Sequence, residues 1–88
     1  MAQLGADVEA LDQLARRFNE EAQKIQQAIS TISSQIDTTW WQGPDAERFR
    51  NNWQSSFRGQ LQRIGESLGQ AAQQCKRQAD QQRQVSGA

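Results

Sequence analysis

Few residues in this 88-residue chain are equipped for chemistry. Two acid pairs, Glu20-Glu21 and Asp7/Glu9, offer a general acid and a general base. Cys75 is the one thiol available as a nucleophile. Each would need help from its surroundings. Paired carboxylates divide into acid and base only where a pocket pushes their pKa values apart, and a thiol needs a neighbouring base or cation to become a thiolate. The chain has no histidine, which excludes a Ser-His-Asp triad, a Cys-His pair and any histidine metal site. A lone cysteine excludes an intrachain disulfide and a multi-cysteine metal cluster. The acid pairs fall on the wet face of a regular amphipathic pattern, with no pocket to shift them. The sequence therefore points away from an enzyme, and to no cofactor, no metal and no small-molecule substrate.

Composition narrows the remaining classes. Ten bases balance ten acids, whereas a nucleic-acid binder normally carries a basic excess. The chain is 35% hydrophobic, 17 residues are Gln and the mean hydropathy is −0.92. That composition alone reads as disorder, so the question is whether the few apolar residues are patterned well enough to fold. No stretch approaches the roughly 18 apolar residues of a membrane span. The start, Met1-Ala2-Gln3-Leu4-Gly5-Ala6-Asp7, has neither the basic residues nor the apolar run of a secretory signal peptide. The expectation is a protein made in the cytoplasm, which leaves, if it leaves, without a cleaved signal.

The pattern answers the question. Leu4, Val8, Leu11, Ala15, Phe18, Ala22, Ile25, Ile29, Ile32 and Ile36 alternate spacings of four and three, an unbroken heptad stripe that predicts a helix with one buried seam. In the second half Ala46, Phe49, Trp53, Phe57, Leu61, Ile64, Leu68, Ala71 and Cys75 continue at helical spacing, but with a run of three fours from Phe49 to Leu61. Such a stutter predicts weaker supercoiling there. Gly65 and Gly69, one turn apart, mark either thin helix surface or close approach of another helix. Between the stripes, Gly43 is suited to ending the first helix, Pro44 to the first turn of the next, and Asp45 and Glu47 to its positive end. The expected fold is all-α: a single antiparallel helical hairpin over residues 1–82, with helix 1 at about 5–40, a turn at about 41–44, helix 2 at about 45–82 and a flexible tail at 83–88.

Charge and size bear on how the hairpin is completed. Residues 1–43 carry net −3 and residues 44–88 net +3, so an acidic helix lies beside a basic one; exposed pairs between them bias orientation more than stability. A compact chain this small buries only about 60% of its unfolded surface, and two helices side by side bury less. The expectation is a second hairpin, identical or different, that completes a four-helix bundle. Leu11, Phe18, Ile25, Ile29, Ile32, Phe49, Trp53, Phe57, Leu61, Ile64 and Leu68 are the residues expected in the core or the dimer interface.

Trp41-Gln42-Gly43, standing between two helical stripes and followed by Ala46, Phe49 and Trp53, resembles the WXG (ESAT-like) family of small helical-hairpin proteins of type VII secretion. The resemblance covers nearly the whole chain. It implies a four-helix-bundle dimer, often of two related proteins, that is exported after recognition by a membrane-anchored secretion ATPase of the FtsK/SpoIIIE type. It also implies that Trp41 and Gly43 form part of the export motif. Such families carry a Tyr-x-x-x-Asp/Glu element at the end of the second helix. This chain has no tyrosine. Cys75 or Lys76 stands at the tyrosine position, with Ala79 or Asp80 four residues on. The resemblance then implies either the half of a pair that supplies the Trp-x-Gly turn, or a homodimer with a divergent tail.

Each residue singled out also has a plainer reading. Trp41 packs the turn, or presents a surface to the export machinery, or both. Trp40 adds an exposed aromatic beside it, or caps the first stripe. Cys75 on the apolar stripe behaves as a small hydrophobe, although in an oxidising space it could pair with a second thiol. Two other functions stay open: a cytoplasmic helical adaptor or coiled-coil pairing module that is not exported, and a membrane-active effector. The narrow apolar stripe and scattered bases speak against the effector.

Overall fold

The computed structural model describes residues 5–86. All regular structure among them is helical: α1 is Val8–Thr38, α2 is Pro44–Asn52, a π-helical turn is Trp53–Phe57 and α3 is Arg58–Ser86. The last three run on without a break and form one arm. That arm lies antiparallel to α1, as the cross-contacts show: Asp12 meets Arg83, Ile25 meets Gly65 and Ser33 meets Trp53. The hairpin is a rod of 65 × 20 × 18 Å. No helix among the described residues is long and apolar enough to cross a membrane.

Side chains set the ends of α1, which is shorter than its apolar stripe suggests. Asp7 caps the N-terminus, its Oδ1 accepting from the Ala10 N–H at 3.1 Å, so the helix begins at Val8 rather than near residue 5. Leu4, the first residue of the expected stripe, lies outside the described residues. At the other end the Thr38 and Thr39 hydroxyls donate to the carbonyls of Ser34 and Gln35 at 3.0 and 2.5 Å. Thr39 turns to extended backbone, and Trp40 and Trp41 fall in the loop. Hydroxyls that bond back to the last carbonyls offer the chain a stopping point. Gly43 therefore does not end α1. It opens α2, with φ at +113°, a region where a side chain is strained. No heavy atom lies within 4 Å of where a Cβ would stand, so the dihedral rather than crowding calls for glycine. Pro44 holds the first helical position, where its missing N–H costs nothing.

The seam is built from small residues. Ala15 and Ile29 are the buried residues of α1, and Ala46, Trp53, Ala72 and Ala79 those of the second arm. Gly65 backs onto α1, where an added Cβ would stand 3.6 Å from Ile25 Cγ2, whereas Gly69 has nothing within 4 Å. Trp53 is the large exception. Its ring is covered and its indole N–H donates to Ser33 Oγ at 2.9 Å; truncating such a ring costs about 3–5 kcal/mol. Two expectations shift. Ala72, rather than Ala71, is the fully covered alanine. Residues 83–86, expected in the tail, continue α3, and Arg83 pairs with Asp12 of α1 and Asp80 one turn back. Residues 87–88 lie outside the described residues.

The opposed net charges of the two halves produce one cross-helix ion pair among the described residues, Asp12–Arg83. The other pairs, Arg17–Glu21, Lys24–Glu21, Arg48–Asp45 and Arg83–Asp80, stay within one helix.

Candidate functional site

The hairpin tip is a short loop of residues 39–43. One guanidinium holds it. Arg50 donates to the carbonyls of Thr39 at 3.3 Å and Trp41 at 2.9 Å, bracing the turn from α2. Loop carbonyls otherwise left to water thus gain a charged donor, a stronger partner than a neutral one. Trp41 leans on Phe49, with ring centroids 5.5 Å apart and planes tilted by 46°, within the range of favourable aromatic pairs. Trp41 remains 41% exposed and Trp40 85% exposed. The tip therefore combines a braced backbone, one half-packed indole and one nearly free indole.

The exposed apolar residues continue from the tip along one flank. An α-helix turns about 100° per residue. Relative to the seam line through Ala15 and Ile29, this puts Leu14, Phe18, Ile25 and Ile32 on one side of α1. The matching side of the second arm carries Phe49, Phe57, Ile64, Leu68 and Ala71. Leu14, Ile32, Phe49, Phe57 and Ile64 are all exposed, Phe57 at 43% and Ile64 at 51%. Sequence spacing places all of these but Leu14 on an apolar stripe; the structure divides that stripe into a seam the hairpin covers itself and a band it leaves open, which Leu14 joins. Leu11, Phe18, Ile25, Leu61 and Leu68 are half-buried between the two.

The elongated shape leaves much surface uncovered. The chain exposes 6966 Å², against about 5,200 Å² for a compact protein of its mass, so roughly a quarter of its surface is excess. Its Cα radius of gyration is 19.7 Å, against about 12 Å for a compact chain of its length.

The C-terminal positions compared with the tyrosine element sit inside α3. Cys75 is half-buried and free, Ala79 is fully buried, and Lys76 and Asp80 point outward. Asp80 is engaged by Arg83. The acid pairs weighed as catalysts are not gathered into a site. Glu21 lies between Arg17 and Lys24, and its bond with Lys24 holds its carboxyl below the ordinary value. Two contributors escaped the sequence reading: Arg50, which braces the loop, and Ser33, which fixes Trp53. The signal for Arg50 is its position seven residues after Gly43 and four after the buried Ala46, which returns its side chain to the loop side of α2.

No protein-family model, no curated protein and no solved structure matches this chain.

Proposed function

We propose that the chain is a non-catalytic binding and export module of the WXG type. It pairs through its open apolar flank with a second hairpin, identical or related, to make a four-helix-bundle dimer. The dimer is a substrate or co-substrate of a type VII secretion system and is read by that system's membrane-anchored ATPase. The reading is carried by one juxtaposition: Trp41-Gln42-Gly43 occupies a braced turn, and an uncovered aromatic and aliphatic flank runs from it through Phe49, Phe57 and Ile64. Exposed large apolar side chains gathered on one flank, Phe49, Phe57 and Ile64 among them, support an interaction face. The missing tyrosine favours the role of the partner that supplies the turn while the other chain supplies the tail signal.

Two measurements test the proposal. Light scattering of the purified chain, alone and mixed with a hairpin protein encoded beside it, should give a mass near twice 10.0 kDa; a folded monomer at micromolar concentration in both samples would remove the pairing. Trp41→Ala should leave helix content intact and abolish export. Undiminished export would reduce Trp41 to packing, and a chain that pairs but is never exported would be the helical adaptor instead.

A further inference from the structure

The flank opposite the apolar band holds a different feature. Near the open end of the hairpin, two buried alanines, Ala15 and Ala72, floor a cleft of about 600 Å³ between the helices. Its walls are Asp12, Arg16 and Asn19 from α1 and Gln73, Lys76 and Arg77 from α3. The alanine floor makes the space and the walls supply the charge.

The bases on those walls are tied down by no hydrogen bond or close ion pair among the described residues. Of the chain's ten bases, six have partners: Arg17 and Lys24 on Glu21, Arg48 on Asp45, Arg50 on the loop carbonyls, Arg58 on Gln54, and Arg83 on Asp12 and Asp80. Four form no hydrogen bond or ion pair among the described residues: Arg16, Arg63, Lys76 and Arg77. Three of these four line the one cleft. The single acid on its walls, Asp12, is hydrogen-bonded to Arg83 and also feels the charges of Lys76 and Arg16; one carboxylate against three cations leaves the walls net positive. A cleft whose walls carry a net positive charge draws anions inward, and guanidinium groups match the paired oxygens of phosphate or carboxylate. The Asn19 and Gln73 carboxamides add neutral donors beside the cations.

We infer that this cleft binds a small polyanion, a molecule that presents two or more phosphate or carboxylate charges. Its volume lies within the range of about 300–1,000 Å³ common to small-molecule sites. The basic footprint is also short. On α3 it runs from Gln73 to Arg77, about 6 Å along the axis. The next stretch of the same groove is lined by Gln23, Gln26, Gln62 and Glu66, with no base. A polymer with repeating charge would find no continuation there, whereas a compact anion is matched. The cleft does not depend on the secretion reading, and the proposed pairing, on the other flank, leaves it open.

The test is titration of the full chain with sodium pyrophosphate and, separately, with citrate, followed by ¹⁵N–¹H chemical shifts. The amides of Ala15, Asn19, Ala72 and Gln73 should move saturably while those of residues 39–43 stay still. Lys76→Gln combined with Arg77→Gln should weaken binding at least about fivefold, and Arg63→Gln, which removes the unpaired base outside the cleft, should change it less than about twofold. Binding of pyrophosphate alone would assign a phosphorylated ligand, binding of citrate alone a polycarboxylate, and binding of both a site that reads charge and size. No saturable shift with either anion at about 10 mM, or an equal loss on Arg63→Gln, would overturn the inference.

Discussion

A single residue in the π-helical turn decides the register of half the molecule. Along the second arm the inward positions Ala46, Trp53, Leu61, Leu68 and Cys75 are spaced seven, eight, seven and seven. Seven residues of α-helix return to within about 20° of the starting direction, whereas eight overshoot by about 80°. The π turn absorbs the eighth: the N–H of Arg58 reaches back five residues to the Trp53 carbonyl, and Ala72 and Ala79 beyond it are buried, as Ala46 is before it. Ser55 is exposed, and its hydroxyl bonds only the Asn51 carbonyl in its own turn. Deleting Ser55 should convert Trp53–Phe57 to regular α-helix, make the spacing seven throughout and change stability by no more than about 1 kcal/mol. Inserting one alanine after Ser55 should do the reverse. Everything from Ser56 onward would swing by about 100°, and Leu61 and Leu68 would leave the seam. Each lost leucine burial costs about 2 kcal/mol or more, so the insertion should cost at least about 4 kcal/mol of a total near 5–15 kcal/mol. Urea unfolding followed by circular dichroism, at one protein concentration for all variants, reads both changes. A deletion that costs more than about 2 kcal/mol, or an insertion that is tolerated, would refute the argument that the π turn is a register correction.

Glycine and charge substitutions test the local account. Gly43→Ala should lose about 1–3 kcal/mol because its positive φ strains any side chain, while Gly69→Ala, in open space on a helix, should gain about 0.5–1 kcal/mol; thermal unfolding separates the two, and a loss at Gly69 would mean that another body packs there. The Asp12–Arg83 bond holds the Asp12 carboxyl below its ordinary value. A depressed carboxylate contributes stability that is present above its unfolded pKa and lost as pH falls through its folded one. Asp12→Asn should therefore be less stable at neutral pH and show a flatter loss below about pH 4; Glu21, also held below its ordinary value, keeps its own contribution in both proteins. Equal pH profiles for the two proteins would show that the bond contributes nothing.

The all-helical hairpin was legible because its signal is periodic and long: ten apolar residues at alternating fours and threes admit one helical face. The ends were less legible, since they depend on single hydrogen bonds from Asp7, Thr38 and Thr39 rather than on period. The stutter in the second arm was visible as a run of fours. Its resolution was not, because gentle unwinding and a π turn suit the same spacing, and the choice falls where Trp53 is pinned by Ser33 from the other helix. The pattern likewise marks Phe57 and Ile64 as apolar without saying whether their cover is α1 or another molecule. Arg50 lay hidden for a similar reason, since its role is to satisfy backbone carbonyls that no composition reveals.

The division of side chains between seam and band bears on the pairing reading. A self-sufficient domain puts its largest apolar residues inside. Here four of the six buried residues are alanine, and Leu14, Ile32, Phe49, Phe57 and Ile64 are exposed. Small residues let α1 and α3 approach closely, as at Gly65 against Ile25, and that approach lifts the bulky residues of each helix out to one rim. The hairpin thus secures its own geometry with little apolar volume and holds most of that volume in reserve on a flat, single-sided band. A lone hairpin built to be stable by itself would be better served by leucine at positions 72 and 79 and by polar residues at 57 and 64. The observed arrangement is instead the one that pairing would favour. If hairpins pair as proposed, three of the four unpaired bases would also be well placed on the opposite flank: a charge at positions 57, 64 or 71 would be desolvated on pairing, at a cost of several kcal/mol, whereas positions 16, 76 and 77 would stay in contact with water in either state.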